Sequence, residues 1–240
     1  MIKTIVMSAT YRQSSRHRPE LRERDPQNRY LWRQNRFRAE AEIVRDLCLS
    51  VSGLLSRKVG GPSVFPPMPP DIAALSYANN FKWNTSKGAD RYRRGMYTFF
   101  KRTAPDPNLI TFDCPDSNTT CVERRTSNTP LQALTMLNNV VFVESSRALG
   151  ARLLKHPAPG DAERLDYAFR LCISRSPTAL ERQQFTDLLN TCRHWYGKHQ
   201  DDAAKLAGKD RENTVPVGEA ASWIATSRVI MNLDEFITRE

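Results

Sequence analysis

The densest chemistry in the chain lies between Asp113 and Gln132. Asp113, Asp116, Asn118, Glu123, Arg124, Arg125, Asn128, Thr129 and Gln132 fall within 20 positions. Two adjacent arginines ahead of a helix start could hold a carboxylate, sulfate or phosphate. The N–H groups of the helix N-terminus would add to such a site. Arg124, Arg125, Asn128 and Thr129 are therefore the candidate anion-binding residues. Asp113 and Asp116 form a candidate polar site beside them. A second reading needs no ligand: the arginines pair with Asp113, Asp116 or Glu123 and pin a long loop to the helices. Thr129, Pro130 and Gln132 fit N-cap, N1 and N3 of a capping box. The sequence favours this scaffolding reading, and no catalytic residue is assigned.

Other chemistries fit less well. Asp113, Asp116 and Asn118 offer hard oxygen ligands, but their spacing matches no complete calcium loop and the required glycine is missing. As a glycosidase pair, Asp113 and Asp116 are too close in sequence to span a sugar. The histidines are His17, His156, His194 and His199. The last two are five apart, off the i, i+4 spacing that puts two ligands on one helix face, so no metal site is read. No G-x-S-x-G elbow places a nucleophilic serine. The five cysteines form an odd set without CxxC, so neither a zinc ribbon nor a haem attachment site is read. Cys48, Cys172 and Cys192 sit in apolar helical patterns as small core residues. Cys114 and Cys121 are separated by six residues in a polar stretch, where a local disulfide is sterically conceivable.

Two further features could bind rather than react. Tyr92, Tyr97, Phe99 and Phe100 alternate with Arg91, Arg93, Arg94, Lys101 and Arg102. Exposed, such a surface stacks bases or sugars. A buried aromatic face with basic residues outside is the favoured reading. The charge is also uneven. The chain carries +10, and residues 1–60 hold 13 basic residues against 6 acidic ones. Eight arginines occupy the 23 positions from Arg16 to Arg38. Such a stretch attracts nucleic acid, acidic polysaccharide or anionic lipid. Alternatively it is a solvated face balanced by Glu20, Glu23 and Asp25, which is the favoured reading.

The elements that must position these residues read as mainly α. A short helix is expected in Ile2–Tyr11 and an exposed loop over 14–28. The first strong helix is Ala39–Leu55, with Ala41, Val44, Leu47, Cys48 and Val51 on one face. Gly60–Pro70 holds five prolines and reads as an extended connector. The Asn79–Asn84 region reads as a short strand or apolar loop. Tyr92–Lys101 with Leu109–Phe112 is expected as a β-hairpin, slightly ahead of a short helix over Arg91–Phe100. Helices follow from Pro130, the first lined by Leu131, Leu134 and Leu137. The next are Val141–Leu154, Glu163–Ile173 and one opened by Ser176 and Pro177 and buried through Leu180, Phe185, Leu188, Leu189 and Cys192. A polar linker is expected over Gln200–Pro216 and a last helix over Ala220–Ile237. The expected architecture is one domain over 1–240: helical to 60, an extended or hairpin wrap over 60–128, and a helical core over 129–240. No apolar run approaches the ~20 residues a membrane helix needs.

Several stretches together resemble one family. They are SATYRQSS at 8–15, DPQNRYLWRQNRFRAEAEIVRD at 25–46, VGGPSVFPP at 59–67 and DRYRRGMYTFFKRTAP at 90–105. TFDCPDSNTTCVERRTSNTPLQALTMLNN at 111–139, FRLCISRSPTALE at 169–181 and NLDEFITRE at 232–240 complete the set. The chain resembles the planctomycete-specific C-terminal domain of unknown function, the PSD family. That resemblance implies larger, extracytoplasmic proteins with a secretion signal, another uncharacterised domain and often a cytochrome-c-like domain upstream. Haem would belong to that upstream domain, and this chain is expected to carry no cofactor. Family members usually have more of the same domain ahead of SATYRQSS, so the chain is expected to be a C-terminal fragment.

The resemblance supplies context, not a reaction. The leading expectation is an accessory or interaction domain that binds anionic polysaccharide or a cytochrome-like partner domain. One alternative is an enzyme domain whose site another segment completes. The other is a basic nucleic-acid binder, against which no recognised nucleic-acid motif stands in the chain.

Overall fold

The computed structural model describes residues 1–16, 18–75, 81–208 and 214–239. His17, the Asn79–Asn80 start of one expected strand, positions 209–213 of the expected linker and Glu240 lie outside them. The protein is mainly α. Helix α1 covers Ile2–Val6, α2 Ala41–Ser52, α3 Pro70–Ala73 and α4 Pro107–Thr111. Then come α5 Pro130–Asn138, α6 Val140–Lys155, α7 Asp161–Ile173 and α8 Ala179–Lys198. The last are α9 Gln200–Ala207, α10 Val217–Met231 and α11 Asp234–Ile237. Strands β1 (Phe37–Arg38) and β2 (Thr238–Arg239) pair antiparallel, Phe37 opposite Arg239 and Arg38 opposite Thr238.

Helix α10 is the axis of the molecule. Ala220, Ala221, Trp223, Ile224, Ile230 and Met231 are all buried, and so are Ser222, Thr226 and Ser227. A helix buried over most of its surface needs neighbours on several sides. α10 finds them in α6, α8 and α9, with α5 and α7 at its flanks. Its inward hydroxyls bond back along the helix: Ser222 Oγ donates to Gly218 O at 2.7 Å and Thr226 Oγ1 to Ser222 O at 2.9 Å. α6 crosses α10 at Gly150, where a Cβ would stand 2.8 Å from Ile224 Cγ1 and 3.1 Å from Ile224 N. Only glycine permits that approach. α2 packs on the other side of α6 and adds Val44, Cys48 and Val51 to the same core. Phe112 of the 107–114 turn and Phe236 and Ile237 of α11 complete it.

The middle of the chain is extended, and the expected hairpin is not there. Gly88–Tyr92 and Gly95–Tyr97 form 3-10 turns, and 107–111 is helix α4. Isolated parallel bridges, Ser56 with Arg93 and Val64 with Thr98, replace a hairpin ladder. Asp106 caps α4 by accepting the Asn108 N–H at 2.8 Å, and Pro107 occupies N1. Those two residues convert an expected strand into a helical turn. Elsewhere most helices stand within a few residues of their expected bounds. Gln200–Ala207, expected as linker, is helix α9. α8 starts at Ala179 with Thr178 as N-cap, not at Ser176 and Pro177, because Thr178 and Glu181 close a reciprocal capping box. The last helix breaks at Asn232 into α10 and α11. On α5 the orientation is reversed: Leu131 and Leu134 are exposed while Gln132 and Met136 are buried. Leu180 is likewise exposed rather than buried.

Candidate functional site

The polar residues of 113–132 are gathered around Asp113. This residue adopts a left-handed φ of 66°, which turns its carboxylate back toward Ser127. Oδ2 accepts the Ser127 N–H at 2.9 Å, and the Ser127 hydroxyl donates to the same carboxylate at 2.9 Å. Arg38 Nη2 donates to Oδ2 at 2.8 Å, and Gln132 Nε2 does so at 3.3 Å. Partial burial pushes the Asp113 carboxyl up. The Ser127 bonds, Arg38 and Gln132 outweigh it and hold the group below the usual carboxylate range. Asp113 therefore joins β1, the loop and the start of α5.

The other candidates also have internal partners. Arg124 Nη1 donates to Glu42 Oε2 at 2.8 Å and lies 3.1 Å from Glu40 Oε2, so this guanidinium straps the loop to the start of α2. Asn128 Nδ2 donates to Asp234 Oδ1 at 2.8 Å, and Arg36 donates to the other oxygen at 3.0 Å. Thr129 and Gln132 close the capping box of α5. Asp116, apart from the others, accepts its own turn's Asn118 N–H at 3.0 Å, which with the Asn118 side chain lowers its pKa. Arg125 is exposed and makes no ion pair among the described residues. Cys114 and Cys121 are both free thiols. Partial burial and then the Glu42 carboxylate beside it push the Cys114 thiol up to about 11. Among the described residues, no three His, Cys, Asp or Glu side chains gather as a metal cluster.

The arginine-rich stretch is arranged differently. Arg16, Arg18, Arg22, Arg24 and Arg29 are exposed, and none makes an ion pair among the described residues. The expected carboxylate partners do not serve them. Asp25 is buried, and its two oxygens accept the backbone N–H groups of Arg29 and Tyr30, each at 2.8 Å. Buried Asn28 donates to Arg33 O at 2.8 Å and to Asn35 Oδ1 at 2.9 Å. Such side-chain to backbone bonds fold a loop locally. The turn they build holds Arg29 outward and Tyr30 at 86% exposure. At its end, Arg36 meets Asn128 on Asp234, so the two basic segments converge on α11.

The aromatic set is half-buried, and most of it packs against other side chains. Phe99 lies 5.0 Å from Phe65 and 5.4 Å from Phe81, and Trp83 completes that cluster with Nε1 donating to Pro66 O at 2.8 Å. Tyr97 lies under the Arg93 guanidinium at 3.7 Å and accepts the Gly60 N–H at 2.8 Å. Phe100 packs on the main core. Two residues carry a positioning role that the sequence reading did not assign. Arg45 is buried on α2 and donates to the Arg91 and Arg93 carbonyls. Arg93, 1% exposed, donates to Pro62 O at 2.9 Å and Gly60 O at 2.5 Å. Arg45 holds the 91–93 backbone to α2, and Arg93 ties that backbone to the 60–62 connector. The visible signal was Arg45 standing next to Val44 on an otherwise apolar face.

No helix among the described residues is long and apolar enough to cross a membrane. Searches of curated proteins and of solved structures found no match to the chain. A family model does match: PSD1, described as a protein of unknown function (DUF1553), over residues 1–189. With 189 of its 240 residues covered, the chain belongs to the PSD1 family of proteins of unknown function.

Proposed function

We propose that the chain is an accessory domain of a larger extracytoplasmic protein, and that its arginine loop binds anionic polysaccharide. The single observation that carries this reading is the set of five exposed arginines at 16, 18, 22, 24 and 29, without ion pairs among the described residues. Unpaired surface cations held on an ordered loop favour a multivalent anion, because they need not break internal contacts to bind it. Tyr30 beside them offers a ring face to a sugar. Arg125 adds a cation from the neighbouring loop. Arg124, Asn128 and Thr129 serve this site as supports, since each already bonds within the protein. The planctomycete resemblance favours a glycan over nucleic acid, since it implies an extracytoplasmic setting.

The test is binding of the whole chain to a heparin-type sulfated glycan at low salt. Unsulfated glycan and single-stranded DNA serve as competitors. Binding that is lost in the variant with all five arginines changed to glutamine, and that unsulfated glycan does not displace, supports the reading. A chain that ignores the sulfated glycan at low salt ends it. Tenfold preference for the DNA would turn it into a nucleic-acid reading.

A further inference from the structure

A cavity of about 610 Å³ lies between α6, the end of α9 and α10. Neither the arginine loop nor the 113–132 segment lines it. Its size is that of a small-molecule site. Small side chains create the space: Ala148 and Ala151 on α6 stand three apart on one face, opposite Ala220 on α10. Leu154 and Ile224 make the rest of the floor apolar.

The polar side chains that line it, among the described residues, are Tyr92, Glu144, Arg147, Lys155 and Thr214. Glu144 is already matched by Arg91, which donates to it through Nε at 3.1 Å and through Nη2. Arg147 has no carboxylate partner among the described residues. Its Nε donates to Leu206 O at 2.6 Å and its Nη2 to Lys205 O at 2.9 Å. Those carbonyls close α9, where the helix dipole favours a cation. Gly208 lies against the guanidinium: it has φ +76°, and a Cβ there would stand 3.1 Å from Arg147 Cζ. One edge of the guanidinium is thus fixed by backbone. The other edge, formed by Nη1 and the second Nη2 hydrogen, has no partner among the described residues.

We propose that this cavity binds a small amphipathic carboxylate. The carboxylate takes the open edge of Arg147 in a bidentate pair. The aliphatic body lies along Ala148, Leu154 and Ile224. An immobilised cation above an apolar floor fits such a ligand and discriminates against its neutral and cationic counterparts.

The experiment is isothermal titration of the full chain with decanoate, decan-1-ol and decyltrimethylammonium. Decanoate is expected to bind one per chain, at least tenfold tighter than either analogue. Arg147→Gln is expected to weaken decanoate at least tenfold, the scale of a lost charge-assisted hydrogen bond. If that variant fails to fold, Ala151→Trp decides, because Ala151 is exposed at the mouth and a large ring there blocks entry. Absence of decanoate binding, equal binding of all three compounds, or unchanged affinity in Ala151→Trp overturns the proposal. Glycan binding rests on other residues, so failure of one reading leaves the other standing.

Discussion

At the scale of single residues, the polar density of 113–132 is used to join segments. Asp113 shows this best, since one carboxylate receives donors from β1, from Ser127 and from α5. Its main charged partner, Arg38, has a side chain only 6% exposed. Arg38 Nε and Nη1 already lack hydrogen-bond partners among the described residues. Asp113→Asn would leave that guanidinium buried with no counter-charge. Breaking a buried pair from one side typically costs about 3–5 kcal/mol. Asp113 itself is partly open, so a loss near the lower end, about 3 kcal/mol, is expected in denaturant unfolding. The variant Asp116→Asn is the comparison, because Asp116 is exposed and, among the described residues, bonds within its own turn. It is expected to leave the unfolding midpoint nearly unchanged. Equal effects of the two substitutions would contradict the assignment of Asp113 as the joint. The types and spacing of these residues were legible in the sequence. Their partners were not: Glu42, Arg38 and Asp234 come from 70 or more positions away.

Elements carry two predictions of their own. The α6–α10 crossing depends on Gly150. Alanine would gain about 0.5–1 kcal/mol of intrinsic helix preference there. Its Cβ would meet Ile224 at 2.8 Å on the side chain and 3.1 Å on the backbone. α10 is held by α8 and α9 as well and has little room to move. Overpacking of about 1–3 kcal/mol therefore outweighs the helix gain. Gly150→Ala is expected to lower Tm, while Gly197→Ala, with nothing near its Cβ, is expected not to. The second prediction concerns the start of α8. Glu181 closes the Thr178 capping box and also pairs with Arg175, which reaches Glu235 on α11. The bond from Arg175 is the main reason its carboxyl falls from 4.5 to about 2. Partial burial opposes this, and the Thr178 N–H and hydroxyl reinforce it. A carboxylate depressed in the folded state contributes stability above its unfolded pKa and loses it as pH falls through the folded one. Glu181→Gln keeps the capping geometry and removes the charge. The variant is expected to be about 1 kcal/mol less stable at neutral pH. That difference should shrink between pH 4.5 and about 2, in melting curves taken across that range. A constant difference down to pH 2 would mean that Glu181 acts by shape alone.

These elements also show what periodicity could and could not reveal. The long helices are legible because apolar residues recur every three or four positions, as in Val44, Cys48 and Val51. On α5 the same rule points the wrong way. Leu131 and Leu134 fit an apolar stripe, yet Gln132 is the buried residue, because its amide donates to Thr111 O at 2.9 Å and to Asp113. A tertiary hydrogen-bond network sets that rotation, and no local pattern records it. The 92–112 segment failed for a related reason. Alternating aromatics suggest strands, but the Tyr92 and Tyr97 carbonyls accept the N–H groups of Ser56 and Val64 in isolated parallel bridges, and Pro107 and the Asp106 cap turn 107–111 into helix, so no hairpin ladder forms.

At the scale of the whole molecule, the buried arginines change what the net charge of +10 means. Arg38, Arg45 and Arg93 are internal, and Arg124, Arg175 and Arg193 are matched by carboxylates. Among the exposed cations without an ion pair among the described residues, five arginines stand together between 16 and 29. A domain whose charge is evenly spread would bind polyanions weakly, and any five neutralisations would weaken it alike. A concentrated site behaves otherwise. Each cation that contacts an anionic group adds roughly 0.7 to the log–log salt slope for a flexible single-stranded polyanion. Changing Arg16, Arg18, Arg22, Arg24 and Arg29 to glutamine is thus expected to lower the slope for sulfated glycan by roughly 2 to 3.5. The control changes Arg57, Lys82, Lys87, Arg94 and Lys198, which are exposed elsewhere and alter net charge equally. That control should retain most of the slope, because screening at physiological salt limits distant charges to about 8 Å. Equal losses in the two variants would locate the binding in the molecule's overall charge and remove the arginine loop as its site.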